Sequence, residues 1–444
     1  MNNTLFFVLV SIILIASFII GNKSSRNIKN ETDYFLSGRN LGFFSVFMTL
    51  LATQLGGGAI IGTAEAAYLY GWKAISYSAG VALGLLFLGL GIGAKFRKMN
   101  ISTIPELFQT IYQSKNLRVF ASLLYIISTF LLLVAIGVSA RKYAVSLGYD
   151  SAIIFIVFWG TIIAYTTTGG LTAVTKTDVL QIIFVLIAFI ITFISLSSGE
   201  KIPLQNSPKE LIDDIPWINW IIIPCLSNMI GQDMAQRCFA SRSPKLVPYA
   251  MIAAAIFLVI STMLPTYLGI LAYSMPSLEP GSTVLIQVVS ELTNPYVTSL
   301  FSAAILMAIL STADSVLCAL SSNISLDFKF LKIFSEKNHT KLSKLITTSV
   351  GIAAMVGSFF SEEIIPLMIS SYEVVVSILF VPIMGALLLN NPSRNSATNS
   401  CIVGSITFLY FTFFSNYPYK ALVSILISLI IFTSTEVLSR RKSR

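Results

Sequence analysis

Five consecutive residues, Ser311-Thr312-Ala313-Asp314-Ser315, place three hydroxyls and a carboxylate inside the largely apolar run Leu300–Leu320. An ionisable group at bilayer depth costs about 2.5–3.5 kcal/mol on insertion scales, so it is rare and usually functional. Hydroxyl and carboxylate oxygens are hard ligands that suit a hard cation. Ser311 and Ser315 are one helical turn apart and share a face, with Asp314 on its edge. The segment therefore points to an ion bound within a membrane, although Ser311 and Thr312 are equally able to bond back to carbonyls of their own helix. Two more interruptions fall in apolar runs. One is Gln54-Leu55-Gly56-Gly57-Gly58, and the other holds Pro224, Asn228 and Gly231-Gln232-Asp233. Gly and Pro let a membrane helix break, so that its freed backbone groups face a cavity. Matched breaks in two halves of a chain mark a transport site at mid-membrane. They make Thr53, Gln54, Gly57 and Gly58, facing Ser227, Asn228 and Gln232, the candidates for binding a solute. Gly56–Gly58 would also suit a close helix-packing face.

The elements that hold these residues are membrane helices. Of the 444 residues 55% are hydrophobic and 11% charged, against about 25% charged in soluble domains. Mean hydropathy is +0.81. A soluble single-core protein is excluded. A membrane β-barrel would alternate over segments of about ten residues, and Ile182–Leu196 and Met251–Leu271 do not. The pattern reads as an all-α polytopic membrane protein with about thirteen transmembrane helices. Their expected ranges are 4–21, 45–70, 73–95, 117–146, 151–168, 176–198, 215–239, 245–272, 298–325, 341–359, 361–389, 396–414 and 418–438. Amphipathic pieces lie near 104–113 and 281–293, and the most polar loop runs from Gly199 to Asp214. The two interrupted spans stand five helices apart, as in an inverted repeat of spans two to six and seven to eleven. The whole chain, 1–444, reads as one transporter domain. It comprises an extra helix and loop (1–44), a first repeat (45–198), a second repeat (215–389) and two further helices with a basic tail (396–444). Residues 5–20 resemble a signal-peptide core, but no Lys or Arg precedes them and no clear A-x-A site follows, so a retained first helix is expected.

The net charge of +9 fits this plan. All but six of the 29 Lys and Arg residues (Lys73, Arg141, Lys142, Lys201, Lys209 and Lys420) fall on one side of the membrane, Arg237, Arg242 and Lys245 among them. The positive-inside rule puts that side in the cytoplasm, with the N-terminus outside and the Arg440–Arg444 tail inside. The excess base therefore belongs to membrane loops and implies no nucleic acid. Cys225, Cys238, Cys318 and Cys401 form no CxxC pair, and the single histidine, His339, sits in a Lys-rich stretch. Disulfides, zinc and histidine-based catalysis have little material, and no enzyme is implied.

Six motifs in order carry a resemblance to the sodium/solute symporter family over roughly residues 30–390. Asp33-Tyr34-Phe35-Leu36-Ser37-Gly38-Arg39 is similar to the loop leading into its first core helix. Gly62-Thr63-Ala64-Glu65-Ala66-Ala67-Tyr68-Leu69-Tyr70-Gly71 resembles the end of that helix, and Thr103-Ile104-Pro105-Glu106-Leu107 its T-x-P-E loop. Gly169–Val174 with Thr177-Asp178-Val179-Leu180-Gln181 resembles the family's most recognisable stretch. Gln232–Arg237 resembles its Q-x-x-x-Q-R helix end, and Ser311–Ser315 its ion-binding helix.

The resemblance implies a five-plus-five inverted-repeat core with broken first and sixth core helices. It also implies a sodium ion between the first and eighth, held by carbonyls of Ala52, Leu55 and Ala308 and hydroxyls of Ser311 and Thr312. In some members the aspartate matching Asp178 forms a second cation site, here with Asp314 and Ser315. The residues alone equally allow either acid an ion pair with Lys176 or another inner cation, and two close acids could also hold a proton. Gln54 stands where relatives often carry Asp or Asn. Ser227 stands near a position where sugar-carrying relatives place an aromatic gate, which argues against a sugar. Tyr372 of the tenth core helix could act as a lid. Glu65 and Glu373 lie near the outer vestibule or in the path. The expected activity is sodium-coupled import of a small organic solute, an amino acid, osmolyte or organic acid, by alternating access across the cell membrane. Sodium is the only metal implied, and the lipid bilayer the only other partner. A proton-coupled carrier and a transporter-like membrane sensor are the other readings.

Overall fold

The computed structural model describes residues 1–26, 28–148, 152–198, 217–273, 275, 284–328, 339–415 and 417–442, and all regular structure among them is helical. The polar loop 199–214 lies outside the described residues. In chain order the helices are α1 (Asn3–Ser25), α2 (Glu31–Leu36), α3 (Phe43–Gln54), α4 (Thr63–Tyr70), α5 (Ile75–Phe87) and α6 (Gly93–Met99). Next come α7 (Glu106–Thr110), α8 (Lys115–Ser146), α9 (Ala152–Ser198), α10 (Trp217–Ile230), α11 (Gln232–Ala240) and α12 (Leu246–Tyr273). The rest are α13 (Val284–Leu292), α14 (Pro295–Asp327), α15 (His339–Gly357), α16 (Ile365–Leu388), α17 (Arg394–Phe414) and α18 (Lys420–Lys442). The amphipathic pieces expected near 104–113 and 281–293 appear as α7 and α13.

Ten helices among the described residues are long and apolar enough to cross a membrane. The thirteen expected crossings differ from that count for physical reasons. Straight, the 47 residues of α9 would span about 70 Å, more than twice the roughly 30 Å hydrocarbon core. They fold back at Gly170, whose φ of 52° and ψ of −153° are not helical. Tyr165 before it bonds Asp314 of α14, and Asp178 after it lies beside Arg237, which bonds Ser315 on the same turn of α14. A Cβ on Gly170 would stand 2.3 Å from the Tyr34 carbonyl oxygen, so no side chain fits. Two further crossings are broken. Helix α3 stops at Gln54 and the chain resumes toward α4, while α10 stops at Ile230 and α11 starts at Gln232. Pro224 lies within α10, and the break itself falls at Gly231, with ψ of 133°.

Helix α14 is the central post. Its most apolar window is 94% buried, against 28% for α1, α15 and α17. It packs on α1, α3, α8, α9 and α15. The peripheral helices turn large apolar side chains outward, Ile12, Ile15 and Ile19 on α1 and Ile406 and Phe413 on α17 among them. Outward apolar faces suit lipid, and a post shielded from lipid can carry polar groups.

Candidate ion and solute site

The end of α3 makes the first half of the site. A helix leaves its last four carbonyls without intrahelical partners. At α3, Leu55 leaves the helix with ψ of 56°, and its N–H caps Leu51 O at 2.8 Å. The carbonyls of Ala52 and Thr53 turn instead to α14. Ser311 Oγ donates to Ala52 O at 3.0 Å, and Thr312 Oγ1 lies 3.4 Å from Ala52 O and 3.0 Å from Thr53 O. Both hydroxyls also reach Ala308 O, at 3.0 and 3.2 Å. The two bonding modes open to these hydroxyls therefore coexist. Five neutral oxygens converge, those of Ala52, Thr53, Ala308, Ser311 and Thr312. Thr53 O joins the group through Thr312, beside the Leu55 carbonyl that the resemblance implies as a sodium ligand. The negative end of the α3 dipole points into this group, and hard neutral oxygens beside it fit a monovalent cation. Gly56 permits the approach, since a Cβ there would lie 1.9 Å from Thr312 Oγ1.

One turn along α14 lies an acidic cluster. Asp178 accepts from Thr49 Oγ1, and Tyr165 Oη donates to Asp314 Oδ2 at 2.5 Å. Arg237 Nη2 lies 2.5 Å from Ser315 Oγ and 3.9 Å from Asp178 Oδ2. Thr53 Oγ1 donates to Ser315 Oγ at 3.0 Å. Arg237 is thus no loop residue, as the charge count had it, but a fully buried cation beside Asp178. Lys176 points elsewhere, to Ser24 Oγ. The Oδ1 atoms of Asp178 and Asp314 are buried and accept no hydrogen bond.

The second half of the site is a cavity of about 310 Å³ between the two breaks, walled by α3, α5, α8, α11, α14 and α16. Its polar lining is Thr53, Gln54, Asp233, Thr312, Tyr77 and Tyr372. Gln54 Nε2 crosses to Asn228 Oδ1 at 2.7 Å and Met234 Sδ at 3.0 Å, tying one break to the other. Tyr77 and Tyr372 meet hydroxyl to hydroxyl at 3.4 Å. Gly58 lines the cavity, whereas Gly57 packs on Ser139. Ser227 is buried outside the lining. Gln232 is also elsewhere. It accepts from Ile104 N at 2.8 Å and reaches Ser322 Oγ at 3.3 Å, holding the Thr103–Pro105 loop to α14. The sequence pattern missed Asp233, although it sits in the quoted break. Adjacent helical residues point about 100° apart, so Gln232 and Asp233 cannot share a face.

The cavity is closed unequally. On one side Met368 seats against Gly58 and Ile365 against Gly62, below a vestibule of about 640 Å³ lined in part by Glu65, Lys142 and Trp220. Glu65 pairs with Lys142 at 3.4 Å. Glu373 lies apart from both spaces, bonded to Asn219 at 3.1 Å and paired with Lys420 at 3.4 Å. On the opposite side Asp327 accepts from Thr103, Arg118 and Ser122 at 2.6 to 3.2 Å. There Tyr125 Oη also donates to Ile230 O at 2.6 Å.

The model of the sodium:solute symporter family matches residues 34–200 and 204–404. The chain belongs to the sodium:solute symporter family. It is 26% identical to the sodium/pantothenate symporter of Escherichia coli (strain K12), over 90% of this chain and 88% of that one. It is 25% identical to the sodium/proline symporter of the same organism, over 88% and 84%. Its fold matches that of a sodium-coupled sialic acid symporter in a substrate-bound outward-open state. The TM-score is 0.80, with 18% identity and 98% of each chain covered. This symporter is therefore an integral membrane transporter, not an enzyme, and couples sodium to movement of a small solute.

Proposed function

We propose that the protein imports a small amine or organic acid by alternating access. Sodium would bind at Ala52 O, Leu55 O, Ala308 O, Ser311 Oγ and Thr312 Oγ1, with Thr53 O beside them, and the solute would bind between Gln54 and Tyr372. One observation carries this reading. Thr53 and Thr312 belong to the oxygen cluster and also line the cavity, so the two ligands share a wall. A cation drawing the end of α3 to α14 completes the face the solute meets. Each ligand then favours the state that binds the other, with equal coupling in both directions. The proposed orientation places the vestibule outside, the Asp327 cluster in the cytoplasm and the chain in the cell membrane. An interior-negative potential then adds about 2.3 kcal/mol per charge per 100 mV to uptake.

The acidic cluster supplies a second cation site in this reading, through Asp178 Oδ1, Asp314 Oδ1 and Ser315 Oγ. The two bare carboxylate oxygens support it, and Arg237 offsets part of their charge. The test is uptake into proteoliposomes at fixed pH, with and without a sodium gradient, and a count of sodium ions per solute. Uptake that follows a proton gradient and ignores sodium would sink the sodium assignment.

A further inference from the structure

We infer that Asp233 is the counter-ion for an ammonium group on the transported solute, so that the carrier takes amine-bearing cations or zwitterions. The inference rests on the symport reading and narrows it, since an acid without an amine is then excluded. Among the described residues Asp233 is the only carboxylate lining the central cavity, and no Lys, Arg or His lines it. Among the described residues its carboxylate is in no ion pair. The nearest base, Arg237, does not line the cavity; it donates through Nη1 to the Asp233 backbone carbonyl at 2.8 Å and through Nη2 to Ser315, and its charge offsets part of that of Asp233. A carboxylate-only solute would meet the charge of Asp233 with no cation on the wall to answer it, and at short range in a poorly solvated site that repulsion is strong. An ammonium meets the reverse field.

The rest of the lining suits the same group. Tyr77 and Tyr372 supply aromatic rings, which attract cations. The Nε2 of Gln54 is spent on Asn228 and Met234, which leaves its Oε1 as the acceptor it can offer. Leu132, Val316 and Met368 provide an apolar wall for a short hydrocarbon body. In this chain the acid therefore stands on α11, across the cavity from Gln54 on α3.

The experiment is uptake by purified full-length protein in proteoliposomes under a sodium gradient, with labelled proline, choline, pantothenate and glucose as probes. The expected result is uptake of proline, choline or both, with neither pantothenate nor glucose carried. Asp233→Asn should lower uptake of the amine by about 100-fold, as loss of a desolvated charge partner does, while Asp233→Glu restores part of it. Sodium should still raise the melting temperature of Asp233→Asn in detergent, because the oxygen cluster is untouched, and that shift also shows the variant is folded. Sodium-driven uptake of pantothenate or glucose, or amine uptake indifferent to Asp233→Asn in a folded variant, overturns the inference and leaves symport standing. No sodium-driven uptake of any probe, with no sodium-induced melting shift, counts against the symport reading and the inference with it.

Discussion

The break between Gln54 and Gly58 presents backbone, whereas the break at Gly231 presents side chains. At the first, the carbonyls of Ala52 and Thr53 meet hydroxyls of α14, and Gly56 has to stay bare for them to do so. At the second, Asn228 and Asp233 reach toward Gln54 and the cavity. A backbone-built site depends little on which side chains surround it, so it suits the ligand that stays the same, the ion. A side-chain-built site can be retuned by single substitutions, so it suits the ligand that differs between relatives, the solute.

Substitutions at the two breaks test that division. Gly56→Ala puts a Cβ on the Thr312 hydroxyl, and neither α3 nor α14 can yield in so close a contact. Uptake in proteoliposomes should fall below detection while the chain still inserts. Gly231→Ala is its milder counterpart, because the new Cβ would meet the movable tip of Asp233 at 2.8 Å and the Ser227 carbonyl oxygen at 3.1 Å. If both variants lose uptake equally, the distinction between the breaks fails. Next in size is Ser311→Ala with Thr312→Ala. Each removed oxygen is worth about 1.5–3 kcal/mol toward a charge, so the sodium concentration for half-maximal uptake should rise by at least about 100-fold. Unchanged sodium dependence would move the ion elsewhere.

Asp178→Asn strands the buried Arg237, and breaking a buried pair from one side costs about 3–5 kcal/mol. Melting in detergent should drop, and adding Arg237→Gln should recover much of the loss. A single variant as stable as the parent would show that the guanidinium does not depend on Asp178. The smallest effect belongs to Gly231→Ala, where displacing the tip of Asp233 should lower uptake by about tenfold, less than Asp233→Asn does.

Much of this was legible in the sequence. Apolar runs and charge placement located the crossings, because a bilayer demands long apolar stretches and sorts basic loops. The polar cluster on α14 and both breaks stood out for the same reason. Other features were hidden. Charge counting treats any arginine near a helix end as a loop residue, and nothing in the local sequence reveals that Arg237 turns inward to Ser315 and Asp178. The choice of Asp233 over Gln232 depends on how α11 is rotated about its axis, which is set by packing against α14 and the Thr103–Pro105 loop. The hydrogen bond from Thr312 to Thr53 O depends on the dihedral angles at the end of α3, which sequence spacing does not specify.

The unequal closure of the cavity has a kinetic consequence. Parting Met368 from Gly58 and Ile365 from Gly62 slides apolar side chains past glycines and gives up the long contacts of the Tyr77 hydroxyl, to Met368 Sδ at 3.7 Å and Tyr372 Oη at 3.4 Å. Opening the opposite side means unclasping Thr103, Arg118 and Ser122 from Asp327 and Tyr125 from Ile230. The carrier therefore behaves like a vessel with a light flap at its mouth and a bolted hatch at its base. We expect the empty protein to dwell facing the vestibule and release on the far side to set the turnover rate; turnover with only a shallow dependence on temperature would count against this.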